Sequence, residues 1–124
     1  MALLSRTLTL RWSGQSGRLR PIAEQIHEQI RAGVLAQVEA GDRVDFVSCG
    51  VATPPGPTRL ILEDRRRGLP GRAFTATLAR DGDALTLTVE SGRLRPIPDA
   101  FLATLRDAVI AAVGQTAVSA WAAQ

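Results

Sequence analysis

Ala73-Phe74-Thr75-Ala76-Thr77-Leu78-Ala79-Arg80-Asp81-Gly82-Asp83-Ala84-Leu85-Thr86-Leu87-Thr88-Val89-Glu90 is the stretch that decides the fold. Phe74, Ala76 and Leu78 occupy alternate positions of its first half, and Leu85, Leu87 and Val89 do the same in its second. An apolar period of two marks a strand with one buried face. Between the halves stands Asp81-Gly82, whose glycine supplies the positive φ that a tight hairpin turn requires. The pattern predicts an antiparallel hairpin whose outward positions, Thr75, Thr77, Thr86 and Thr88, form a threonine face.

The same alternation recurs toward the N-terminus. Leu8, Leu10 and Trp12 point one way and Thr7, Thr9 and Arg11 the other, which predicts a half-buried strand within Leu4–Trp12. Gly14 and Gly17 break it. From Pro21 the period lengthens to 3.6, with Leu19, Ile22, Ile26, Ile30 and Val34 on one stripe and Glu24, Glu28, Arg31 and Glu39 opposite. Gly41-Asp42 ends that helix. Arg43–Val51 reads as a strand in which the apolar signal changes phase after Phe46, the signature of a bulge or of cover on both faces. Three prolines between Pro54 and Pro57 make a loop. Thr58–Asp64 alternates again, with Leu60 and Leu62 inward. After Pro98 a second helix carries Phe101, Leu105, Val109 and Ala112 inward, and Gly114 is its C-terminal stop.

The expectation is therefore an α+β fold in a single domain spanning 1–124, of order β-α-β-β-β-β-α. Its sheet is mostly antiparallel, with two helices on one face and threonines on the other. Residues 115–124 are expected to add a short helical tail ending near Trp121.

The chain has 124 residues, 45% hydrophobic and 22% charged, a globular balance that excludes a wholly disordered polymer. Every one of its 15 basic side chains is arginine, and lysine, tyrosine and asparagine are absent. The isoelectric point near 10.9 follows from that absence. With neither lysine nor tyrosine to titrate near pH 10, the chain stays close to its net charge of +3 until arginine itself approaches its pKa. A strong basic field of the kind a nucleic-acid arm carries is not established. The missing residue types all use A/T-rich codons, which points to a high-GC bacterial source. The single cysteine, Cys49, makes no internal disulfide and favours a reducing, cytoplasmic setting. Neither a signal peptide at the N-terminus nor a membrane span within Ala108–Ala123 is expected.

The most specific motif is an internal repeat. Ser16-Gly17-Arg18-Leu19-Arg20-Pro21-Ile22 recurs as Ser91-Gly92-Arg93-Leu94-Arg95-Pro96-Ile97, each after a Leu-Thr-Leu strand and before an amphipathic stretch. One reading is that a workable strand-to-helix connection occurs twice. The other is a pair of anion sites, in which free backbone N–H groups at a helix start cooperate with Arg18, Arg20, Arg93 and Arg95. The repeat lacks the glycine spacing and the lysine of a phosphate-binding loop. A second basic cluster, Arg65, Arg66 and Arg67 with Arg72, can hold phosphates, or can be a solvated loop neutralised by Glu63 and Asp64.

No catalytic or metal-ligating constellation is expected. His27, the only histidine, sits at the edge of an apolar stripe, and carboxylates are scattered. The outward side of the second helix is weakly polar, and Ala103, Ile110 and Ala111, together with Trp121, are candidate interface residues.

The order β-α-β-β-β-α, with one further strand inserted, resembles the topology of ribosome hibernation factors and is distantly similar to double-stranded-RNA-binding domains. The similarity spans about Thr7 to Val113 and is one of element order alone, so no functional residue is carried over from it. The expected function is a non-enzymatic binding or assembly module that self-associates and meets an acidic or anionic protein partner through its arginine turns, with no cofactor, metal or membrane. An RNA- or ribosome-associated domain is the first alternative. A small-molecule-binding protein or enzyme with a pocket between sheet and helices is the second.

Overall fold

The computed structural model describes residues 5–11, 18–52, 55–66, 72–91, 97–114 and 122–123. The elements in chain order are β1 (Ser5–Arg11), α1 (Arg20–Glu39), β2 (Phe46–Val51), β3 (Arg59–Asp64), β4 (Arg72–Asp81), β5 (Ala84–Ser91), α2 (Asp99–Val113) and β6 (Ala122–Ala123). The strands form one sheet in the order β2-β3-β4-β5-β1-β6, antiparallel at every pairing. The chain is an α+β protein.

The β4–β5 hairpin is the centre of the sheet. Its turn closes through Gly82 at φ 60°, and Phe74 to Asp81 pair in register with Ser91 to Ala84. Strict alternation then sorts the side chains. Leu60, Leu62, Ala76, Leu78, Leu85, Leu87, Val89, Leu8 and Leu10 are buried together with Ile26 and Ile30 of α1 and Leu102, Leu105 and Val109 of α2 in one continuous core. Both helices therefore cover the same sheet face.

α1 starts with Pro21 in its first turn, where a missing N–H costs nothing. It ends before Gly41, whose φ of 77° favours glycine. Its buried residues, Ile22, Ala23, Ile26 and Ile30, all lie in the first eleven of its 20 residues. The C-terminal half leaves Leu35 and Val38 exposed at 52% and 60%. α2 begins at Asp99, whose carboxylate suits the positive end of the helix dipole, and ends on Gly114 in the left-handed region.

β2 is shorter than the sequence suggests, beginning at Phe46 rather than Arg43. The phase change is a bulge between Ser48 and Gly50, with Gly50 at φ 134°. Phe46 thus joins the core, whereas Val47, one register on and paired with Glu63, is buried at 9% without belonging to the core cluster. The bulge returns Val51 to the core side, opposite Leu60. The tail departs from the expected helix at Ala122–Ala123, which add a short strand to β1 through Arg6 and Thr7. The rest of 115–124, Trp121 included, lies outside the described residues.

Candidate functional site

The repeat does not work the same way twice. In the first copy Leu19 is the helix N-cap, without a side-chain cap hydrogen bond, and Ile22 is buried inside the first turns of α1. In the second copy Ile97 is also buried, but it precedes the helix, which starts only at Asp99. The cause is one residue: Ala23 follows the first copy, Pro98 the second, and a residue before proline is pushed out of the helical region. The equivalent helix start is thereby delayed by four positions, Glu24 corresponding to Asp99. The two copies therefore lead into helix starts that are not equivalent. Arg18 and Arg20 are exposed at the beginning of α1, Arg20 bonding Glu24 at 3.1 Å. Arg93 and Arg95 lie outside the described residues.

Arg65 and Arg66 of the second arginine cluster are tied into the fold. Arg65 reaches Glu63 at 3.3 Å, and Arg66 holds Asp64, whose side chain is 1% exposed. The Arg66 backbone N–H donates to Asp64 Oδ1 at 2.9 Å, its Nε to both carboxylate oxygens at 3.0 Å and its Nη2 to Oδ2 at 2.6 Å. The guanidinium also lies 5.3 Å from the centre of the Phe101 ring. Phe101 in turn stacks on Phe46 at 4.8 Å and meets Phe74 edge-on at 6.0 Å. Hydrogen bonding to Asp64 raises the Arg66 pKa above its already high value. Arg66 is thus a clamp between the end of β3 and the start of α2. Arg67 and the Arg72 side chain lie outside the described residues.

Sequence reading missed this clamp because Asp64 looks like surface charge beside three arginines. The signal that finds it is phase: Asp64 continues the inward series Leu60, Leu62. It also missed the contact between His27 Nδ1 and Ser48 Oγ at 2.7 Å, which pins α1 to the bulge of β2. Cys49, at that bulge, is exposed, and its thiol lies 3.5 Å from a carboxylate oxygen of Glu63. Partial burial, then the hydrogen bond and charge of Glu63, push its pKa up, against a smaller lowering by Arg65. That direction opposes the thiolate a nucleophile needs.

Three surfaces remain. On α2, Ala103 and Ile110 are half-buried and Ala111 is exposed, while the Thr104 hydroxyl donates back to the Ala100 carbonyl at 3.0 Å. Between the helices runs a groove of about 300 Å³, with Gln29, Gly33 and Gln37 on one wall, Thr104 and Asp107 on the other and Phe46 in its floor. A smaller recess of about 160 Å³ extends it toward Arg43 and Asp45. The third surface is the sheet face opposite the helices. Rows run across it in register: Arg59–Thr77–Thr88–Thr7, Ile61–Thr75–Glu90–Ser5 and Ala79–Thr86–Thr9.

Among the described residues no group of three His, Cys, Asp or Glu side chains is placed to hold a metal, and no helix is long and apolar enough to cross a membrane. No family model, no curated protein and no solved structure matches the chain.

Proposed function

We propose that this chain is a non-enzymatic assembly module of the cytoplasm that self-associates and uses its arginine turns to meet an acidic or anionic partner. The observation that carries this reading is how neutral its outward surfaces are. Leu35 and Val38 stand exposed on α1. Ile110 and Ala111 lie outward on α2, and threonines line the free sheet face. The charged groups that are exposed are largely engaged with one another, as in Arg20–Glu24 and Arg31–Glu28 on α1, Arg43–Asp45 and Arg65–Glu63. Large neutral surfaces on a small domain are covered by partners more often than they are left to water.

Sedimentation across a hundredfold concentration range tests the reading, and a dimer or larger species is expected. A monomer at every concentration, with no partner recovered by the tagged chain, defeats it. Phosphate or sulfate is expected to raise the melting temperature by mass action, an effect lost in Arg18→Ala or Arg93→Ala if those arginines hold the anion. Retention on RNA that falls steeply with salt would instead favour the RNA-associated alternative.

A further inference from the structure

We propose that the threonine face of the sheet is the self-association surface, and that two copies pack through it with Arg59 of each against Glu90 of the other. The inference rests on the self-association reading and names its surface.

The face is unusual for one left to solvent. The wet face of an antiparallel sheet is polar, and long charged side chains there oppose packing against another surface. Here the outward positions of the three central strands are Ser5, Thr7 and Thr9 on β1, Thr75, Thr77 and Ala79 on β4, and Ala84, Thr86, Thr88 and Glu90 on β5, with charge otherwise only at the Arg11 and Asp81 ends. Most of these threonines are half-buried, as is Ile61 beside them on β3. β-Branched side chains of this size are what two packed sheets interdigitate. Five strands at ~4.8 Å spacing and about seven residues in depth give a patch of roughly 24 by 24 Å, about 580 Å² a side. Two such sides come to the lower end of a standard specific interface, roughly 1,200 Å² in total.

The charges on this face choose the partner. Arg11 is engaged with Asp83 at 3.3 Å, and Glu63 with Arg65 at 3.3 Å. The side chains of Arg59 and Glu90 have no hydrogen bond or ion pair among the described residues, and the Nε of Arg59 is buried without a partner. The sheet register fixes where they stand. Arg59 is in the row of Thr77 and Thr88, one strand beyond Thr77, and Glu90 is one row along β5 from Thr88. By strand and row spacings each Cα is about 7 Å from the midpoint of the Thr77–Thr88 pair. A two-fold axis lying in the face through that midpoint, along the bisector of the two directions, therefore carries Arg59 of one copy onto Glu90 of the other, twice. The strands of the two sheets then cross at roughly 70°, close to the orthogonal class of sheet packing. A second copy of this chain supplies both the neutral surface and the two countercharges.

Sedimentation equilibrium on the full chain, with circular dichroism to confirm that each variant folds, tests this. The parent is expected to dimerise. Arg59→Glu and Glu90→Arg each place like charges in contact twice and are expected to weaken the dimer about tenfold or more. The double variant Arg59→Glu/Glu90→Arg restores opposite charges and is expected to return to within about threefold of the parent. Thr88→Arg, beside the axis, is expected to abolish the dimer, and Ile110→Glu on α2 to leave it intact. A parent that stays monomeric overturns both this surface and the self-association reading. A dimer that survives Thr88→Arg, or whose single charge reversals are not rescued by the double variant, overturns the surface alone. Dissociation by Ile110→Glu would move the interface to α2 and leave self-association standing.

Discussion

Replacing Arg66 by alanine should be among the most costly changes to any partly exposed side chain of this protein. Asp64 is 1% exposed, and Arg66, at 37%, is the cation that the described side chains set against it. Loss of a pair with one partner fully buried lies between two limits. Exposed pairs contribute about 0–1 kcal/mol. Removing one partner of a wholly buried pair costs roughly 3–5 kcal/mol. The exposed guanidinium discounts the upper limit, while the contact with the Phe101 ring adds about 0.5–1 kcal/mol to the lower. The expected destabilisation is therefore about 2–3 kcal/mol, which for a domain of this length lowers the melting temperature by roughly 8–12 °C. Arg66→Lys keeps the charge but loses the fork and the stacking plane, so it should recover only about half of that. Urea titrations followed by far-ultraviolet circular dichroism measure both, and an unchanged m-value shows that the loss is in stability. If alanine falls within about 0.5 kcal/mol of the parent, or lysine serves as well as arginine, the clamp does not hold the start of α2 as its geometry implies.

Gly33 lies in the interior of α1 on the groove wall, and a Cβ added there meets nothing within 4 Å. Gly33→Ala should stabilise the protein by about 0.5–1 kcal/mol in the same titration; a loss would mean that the groove closes on this position. The rate at which iodoacetamide alkylates Cys49 should rise with a midpoint above that of an ordinary thiol, because partial burial and the Glu63 carboxylate both disfavour the thiolate. Glu63→Gln removes the negative charge and should shift that midpoint down; an upward or absent shift would refute the assignment.

Much of the architecture was legible because it rests on period alone. The alternation through Phe74–Leu78 and Leu85–Val89, the Asp81-Gly82 turn and the 3.6-residue stripe of α1 each place side chains without reference to anything distant in the chain. What failed to show was long-range. Asp64 is a surface aspartate to any local reading until Arg66, itself over the Phe101 ring, pairs with it. The repeat promised one device used twice, and Pro98 undid it by delaying α2. The tail at Ala122–Ala123 took up strand pairing because the edge of β1 offered unpaired backbone groups there, a tertiary influence that composition does not carry.

The arginine count itself now divides by what each guanidinium faces. A cation beside its own carboxylate is a local matter: Arg20, Arg31, Arg43, Arg65 and Arg66 each answer an acid within four residues in sequence. Such pairs contribute little to recognition, because a partner's anion must first compete with the acid already in place. Arg59 differs in position as well as in partnership. It stands at the first residue of β3, in the row of Thr77 and Thr88 on a neutral face, and its Nε is buried without a partner. The unpartnered Nε is a cost in the monomer, and it is the rest of the side chain, only half-buried, that a carboxylate from a second copy would meet. For the proposed dimer, the arginine whose reversal best separates monomer from assembly is therefore Arg59, at the start of β3, rather than Arg20, Arg65 or Arg66 of the conspicuous clusters.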